Sequence, residues 1–263
     1  MEEPVVRDSL QFLDIIPNLR KIYLIAIAAG GHKFTVKALP STKLEGVVLL
    51  GCGVNIRLLR KIMLGQSLVV IAYRPGPAQI DAITGSDIAL PDLFASFAHS
   101  KLSLQSLMLF PSSIKSEQSN LKHFENLKTL EIPLLDVLSI PYDEQEPETI
   151  HALLKEQLPA TLKHIALRYM TSNIQTKIII EQLAVLKMQN VLPDLDKATF
   201  NFISAVASSF VSTAMINIGG PTGGLAAGTT WESLPEMEKM VREDAGKLYE
   251  DAGICMVVEQ TDY

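Results

Sequence analysis

The stretch LEGVVLLGCG, residues 44–53, fits two different folds. An apolar strand that ends in a turn such as Gly51-Cys52-Gly53 is typical of a site for a dinucleotide or S-adenosylmethionine. The same letters also open with L-x-x-L-x-L, which places apolar residues at positions 1, 4 and 6 of a short unit. Which fold is correct depends on whether this spacing occurs once or recurs along the chain.

The spacing recurs in order, with other apolar residues allowed at its key positions. Seven copies begin at residues 19, 44, 68, 104, 127, 162 and 195, namely LRKIYL, LEGVVL, LVVIAY, LQSLML, LKTLEI, LKHIAL and LDKATF. A weaker copy, GICMVV, begins at residue 253. The shortest spacings fit a leucine-rich repeat of roughly 20–29 residues with one strand and one helix per unit, and the longer spacings need insertions.

Helical patterns occupy the segments between the copies. They include PETIHALLKEQL (147–158), NIQTKIIIEQLAVLKMQ (173–189) and LPEMEKMVREDAGKLYEDAG (234–253), the last with Leu248 on its buried side and Gly253 as its stop. Because no unit can bury its own apolar surface, such units stack. The pattern predicts an α/β fold, one leucine-rich-repeat solenoid over residues 1–263. We expect a curved horseshoe with parallel strands on the concave face, helices on the convex face and a glycine-rich insertion loop around 219–230.

Two further stretches carry a family resemblance. LKHFENLKTLEIPLLDVL (121–138), followed by LPATLKHIAL (158–167), resembles the C-terminal leucine-rich region of fungal F-box proteins. The close match covers residues 91–168. The resemblance implies a region that holds a protein substrate, while an F-box recruits the adaptor of a ubiquitin ligase. No F-box is found in this chain, so a ubiquitin-ligase adaptor is expected as a partner only if an F-box lies outside it.

The repeat also explains the glycine turn. It places Cys52 at the position where a leucine-rich repeat carries Asn or Cys, packed inward as the chain leaves the strand. A methyltransferase motif would instead have an acid before the glycines and a third glycine after them, where this chain has Leu49 and Asn55. We therefore expect no cofactor. An S-adenosylmethionine- or nucleotide-dependent enzyme using Gly51-Cys52-Gly53 is the alternative.

Composition narrows the function further. The net charge of −6 lies in the segment after residue 231, where nine acids face three bases, so no basic field favours nucleic acid. Two cysteines without a C-x-x-C pair indicate a reducing, intracellular setting, either cytoplasm or nucleus. The uncharged segment 200–218 is long enough to span a bilayer, but its polar residues follow one helical face, so we expect no membrane span. No histidine has metal-ligand spacing and no nucleophile elbow occurs, so we expect no enzyme and no metal.

The repeat predicts a binding surface. Residues alternate between the two faces of a strand, so the positions between the template residues line the concave face. The candidates for contact with a protein partner or substrate are Tyr23, Val48, Leu50, Val70, Arg74, Met108, Phe110, Glu131, His164 and Arg168. They form an apolar stripe rimmed by charge, which is typical of a protein-binding site. A truncated remnant without a specific partner is a further alternative.

Overall fold

The computed structural model describes residues 19–25, 44–52, 60, 62–63, 66–75, 90–109, 120–133, 140, 146–170, 174–203, 243 and 245–261. These residues form an α/β fold with one sheet of eight parallel strands, in the order β1 to β8 along both the chain and the sheet. The strands are β1 (Lys21–Ile25), β2 (Gly46–Cys52), β3 (Val70–Pro75), β4 (Ser106–Leu109), β5 (Thr129–Pro133), β6 (His164–Met170), β7 (Lys197–Ile203) and β8 (Cys255–Thr261).

Each strand coincides with one predicted copy of the repeat, including the weak last copy. The copies also align in register, because Val47 at position 4 pairs with Ile22 of β1 and with Ile71 of β3. Further along the chain, Ile165 of β6 pairs with Ala198 of β7, and both occupy position 4 of their copies. The template therefore describes the pairing of the strands as well as their location.

A backbone hydrogen-bond pattern recurs where the strands begin. The carbonyl of Arg20, at position 2, accepts the N–H of Glu45 over 2.7 Å and the N–H of Gly46 over 3.0 Å. The position-2 carbonyls of the second, third, fourth and sixth copies each accept the same two N–H groups of the copy that follows. Five repetitions of one arrangement show that these strand entries are structurally equivalent.

The chain divides into two compact units, residues 1–130 and residues 131–263, which are described separately. In the first unit the side chains at positions 4 and 6 of β2, β3 and β4 are buried, and we call their side of the strands the core face. Helix α1 (Leu90–Ser96) precedes β4. Phe94, Phe97 and Phe124 form an aromatic cluster with ring centroids 5.5 to 6.1 Å apart.

The second unit contains helices α2 (Pro147–Gln157), α3 (Ile174–Met188) and α4 (Gly246–Asp251). The predicted helices over 147–158 and 173–189 are confirmed. Gly253 has φ +69° just after α4 and so ends this helix, as predicted. Tyr249 of α4 packs edge-on against Phe200 of β7, which places α4 on the core face.

Several expectations fall outside the described residues: the glycine-rich segment 219–230, most of 200–218, Gly53 and the side chain of Cys52. Leu248 was expected on the buried side of the last helix but is half-buried, whereas its neighbour Tyr249 is fully buried. Among the helices of the described ranges, none is long and apolar enough to cross a membrane.

Candidate protein-binding face

The described side chains at positions 3, 5 and 7 of the copies lie opposite the core face, and we call this side of the strands the second face. The contrast between the faces is clear on β4, where Leu107 and Leu109 are buried while Ser106 and Met108 are half-buried. Strand alternation causes this separation, because successive side chains point to opposite sides. The second face is therefore the side of the strands opposite the packed core, and it includes both accessible side chains and buried ones such as Ala72, Thr199 and Asn201.

In the first unit an apolar row crosses the second face. Tyr23 of β1 pairs with Val48 of β2, Val48 with Ala72 of β3, and Ala72 with Met108 of β4. Tyr23 is 61% exposed, although it is a large aromatic residue. A row of this composition provides an apolar contact surface with one aromatic side chain at its end.

The other predicted residues of this unit lie beside that row. Leu50 pairs with Arg74, which is exposed, so a cation stands next to the apolar row at position 7. Val70 is half-buried at position 3. Phe110, the remaining candidate, lies outside the described residues. Six of the seven candidates before residue 131 thus lie at second-face positions of the described strands.

In the second unit the second face carries a network of three charges. Arg168 of β6 donates from Nε to Oε1 of Glu131 over 2.8 Å and from Nη1 to Oε2 of Glu259 over 2.6 Å. The two carboxylates come from β5 and β8, so the guanidinium reaches across β7. Asn201, at the same repeat position on β7, pairs with Glu259 and is buried. The network therefore connects strands that are not adjacent.

Burial and charge act in opposite directions on Arg168. Partial burial by itself would lower the pKa of Arg168. The charge of Glu131, the hydrogen bonds that Arg168 donates to both carboxylates and the charge of Glu259 outweigh this effect and raise the pKa. The side chain of Arg168 is 26% exposed, that of Glu131 is 17% exposed and that of Glu259 is 44% exposed. The guanidinium is therefore fixed in orientation and charge, with one excess negative charge in the network.

His164 is the first residue of β6 and lies on the second face of this unit. Its Nε2 lies 3.2 Å from the hydroxyl of Thr199, a buried residue of β7. Burial lowers the pKa of His164, the charges of Lys197 and Arg168 lower it further, and Glu131 and Asp196 oppose the shift. The neutral form of the imidazole is therefore favoured. In this form Nε2 either accepts a hydrogen bond from the Thr199 hydroxyl or donates one to it, depending on the tautomer.

The structure brings some predicted residues together and leaves others apart. Glu131 and Arg168 form a direct ion pair, and Tyr23, Val48 and Met108 share one row. Within the described residues, His164 forms a hydrogen bond with Thr199 and with none of the other predicted residues. Sequence reasoning missed Glu259, because the last copy ends at Val258. One more step of strand alternation would have placed Glu259 at position 7 of that copy.

The chemistry of the described residues indicates which kinds of ligand they could bind. Within these ranges no group of three or more His, Cys, Asp or Glu side chains could hold a metal ion. Strand β2 continues through Gly51 and Cys52, and Cys52 pairs with Pro75 of β3, so this part of the glycine sequence belongs to the sheet. What the second face offers is apolar contact, fixed charge and hydrogen bonding.

Comparison of the chain with protein-family models, with curated proteins and with solved structures gave no match.

Proposed function

We propose that the chain is a non-enzymatic protein-interaction module of the leucine-rich-repeat type, which binds a protein partner on the second face of its sheet. The observation that carries the proposal is that Tyr23, Met108 and Arg168 on the second face keep accessible surface, whereas the core-face side chains of β2, β3 and β4 are buried. In the first unit the second face carries the row ending at Tyr23, and in the second unit it carries the network around Arg168. Aromatic and arginine side chains are the residues that most often dominate protein interfaces.

The topology supports the solenoid form of this proposal. Eight parallel strands follow one another in chain order, with repeated hydrogen bonds at their entries, as expected of stacked units that each contact only their neighbours. A doubly wound nucleotide-binding sheet instead binds its ligand where the strand order reverses. The order β1 to β8 has no reversal among the described strands, which favours the module over the cofactor-dependent enzyme.

The composition of the second face suggests the chemistry of the partner. An apolar segment would pack on the row from Tyr23 to Met108, and a basic side chain would compensate the excess negative charge of the Glu131–Arg168–Glu259 network. The resemblance to F-box leucine-rich regions supports a protein substrate inside the cell as the partner. Recruitment of a ubiquitin-ligase adaptor belongs to this proposal only if an F-box accompanies this chain.

Photo-crosslinking at single positions tests the proposal. A photoreactive phenylalanine analogue is placed at Tyr23, Met108 or His164 on the second face, and at Lys155 or Met188 on helices α2 and α3. We expect the second-face positions to crosslink to a common partner and the helix positions to give none. Crosslinks confined to the helices would refute the proposed face.

A binding measurement with the identified partner completes the test. Truncation of an interface anchor typically costs more than 1 kcal/mol, so Tyr23→Ser should weaken affinity by about fivefold or more. Lys155→Ser, an exposed helix substitution, is the matched control and should leave the affinity unchanged. Equal affinities of the two variants would count against the second face as the binding surface.

A further inference from the structure

Each of the two outer strands of the sheet has one edge that pairs with no other described strand. Strand β8 pairs with β7 alone, and β1 pairs with β2 alone, among the described strands. The position-2 carbonyl of the last copy belongs to Ile254, and within the described residues no N–H group donates to it. The equivalent carbonyls of five earlier copies each accept two N–H groups, so β8 ends with the acceptor that a following copy would use.

The core face of β8 is also incompletely buried. Met256 and Val258 occupy positions 4 and 6 of the last copy and are half-buried. Their pairing partners on β7, Ala198 and Phe200, are fully buried. The side of β8 away from β7 therefore presents apolar surface that a further strand would cover.

The charges beside the two edges are of opposite sign. Exposed Glu250 and Asp251 end helix α4, just before β8 begins. Exposed Arg20 and Lys21 stand at the entry of β1, where Arg20 also pairs with Glu45 over 3.4 Å and Lys21 forms no ion pair within the described residues. A parallel strand added to β8 in the repeat register would place its entry residues near the end of α4, so a basic entry would be attracted there.

We propose that β8 binds β1 of a second copy of this chain, adding it in parallel as the next strand of the sheet. The N–H groups of Arg20 and Lys21 in the added copy would donate to the carbonyl of Ile254. In the repeat register Ile22 then lies beside Met256, which covers the exposed part of the core face of β8. The contact is heterologous, since it joins two different edges, and it therefore permits chains of more than two copies. It uses the edges of the sheet and is independent of the function proposed for the second face.

Two single-edge variants test the proposal. Lys21→Pro removes an N–H that, by strand alternation, points away from β2, and proline is tolerated at the first residue of a strand. Val258→Pro removes an N–H that points away from β7 by the same alternation, because the N–H of Cys255 points toward β7. Sedimentation velocity of the full chain gives the mass, and circular dichroism shows whether each variant folds.

We expect the wild-type mass to rise above the 28.8 kDa monomer with increasing concentration and to fall at high salt. Each variant alone has the same edge impaired in every copy and should therefore remain monomeric at concentrations where wild type associates. An equimolar mixture has one intact β8 and one intact β1 available and should give a complex of two chains. A wild type that remains monomeric up to millimolar concentration would overturn the proposal. So would a symmetrical dimer whose stability is unchanged by Lys21→Pro.

Charge reversal provides a second test that does not rely on proline. Lys21→Glu and Asp251→Lys each change an exposed residue and should each weaken association by about tenfold. A mixture in which one copy carries Lys21→Glu and the other Asp251→Lys should recover association. Lys197→Glu, on the exposed part of the interior strand β7, is the control and should associate like wild type. Equal association of the wild type and both reversed variants would contradict the attraction between the edges.

Discussion

Arg168 holds Glu131 through a hydrogen bond of 2.8 Å, although the two residues are 37 positions apart in the chain. The same guanidinium reaches Glu259 on a strand that is not its neighbour. Because Glu131 is the less exposed of the two carboxylates, its charge is less screened by solvent and by salt. The two ion pairs should therefore contribute unequally to stability.

A double-mutant cycle measures this inequality. Arg168→Met should lower the free energy of unfolding by about 1–3 kcal/mol, because it leaves a partly buried carboxylate without its charged donor. The coupling energy with Glu131→Gln should be about 1 kcal/mol or more, and that with Glu259→Gln should be less than about 1 kcal/mol. Urea unfolding of the single and double variants provides the values. A larger coupling to Glu259 would show that exposure does not rank the two pairs.

A buried hydroxyl connects the segment after α1 with the entry of β3. Ser100 is fully buried, donates to the carbonyl of Gln66 over 3.0 Å and accepts the N–H of Leu68 over 3.0 Å. Ser100→Ala leaves both backbone groups without this partner, so we expect a loss of about 1–3 kcal/mol. Ser67→Ala, an exposed neighbour, should stay within about 0.5 kcal/mol of wild type. Similar small effects of both substitutions in urea unfolding would contradict this role.

The strands were predictable because their signal is local. Six consecutive residues such as LKHIAL contain the full apolar pattern of one strand, and the same pattern sets which side chains are buried. Register followed as well, since equivalent units stack in equivalent positions. The helices over 147–158 and 173–189 were predictable for the same reason, because apolar periodicity and terminal residues lie within each segment.

Contacts between distant residues could not be predicted in this way. Arg168 and Glu259 are 91 residues apart, and no local pattern specifies which charge a long guanidinium will reach. The burial of Ser100 depends on how the segment after α1 meets the start of β3. Tyr249 was missed because its hydroxyl makes it resemble a surface residue, whereas a buried carbonyl of another helix accepts a hydrogen bond from it.

The hydroxyl of Tyr249 provides a further prediction. It is fully buried and donates to the carbonyl of Ile180 in α3 over 2.7 Å, and burial raises its pKa well above the usual value. Tyr249→Phe removes only this bond and should cost about 0.5–1.5 kcal/mol. Tyr249→Ala also removes the ring that packs on Phe200 and should cost about 3–5 kcal/mol. If Phe and Ala cost the same in urea unfolding, the ring does not contribute to the core as described.

The lowered pKa of His164 predicts a pH-dependent stability. Since the folded state disfavours the protonated imidazole, the unfolded chain binds more protons between the folded pKa and the unfolded value of about 6.5. The contribution of His164 is therefore complete above about pH 6.5 and is lost as the pH falls through its lower folded pKa.

His164→Gln retains hydrogen-bonding groups for Thr199 but does not titrate. We expect the stability of wild type relative to this variant to fall between pH 7.5 and pH 5, measured by urea unfolding at each pH. The remaining four histidines are present in both proteins, so their contributions cancel to first order in the comparison. A relative stability that rose on acidification would mean that Glu131 and Asp196 outweigh burial and the nearby cations, and that the folded state favours the charged imidazole.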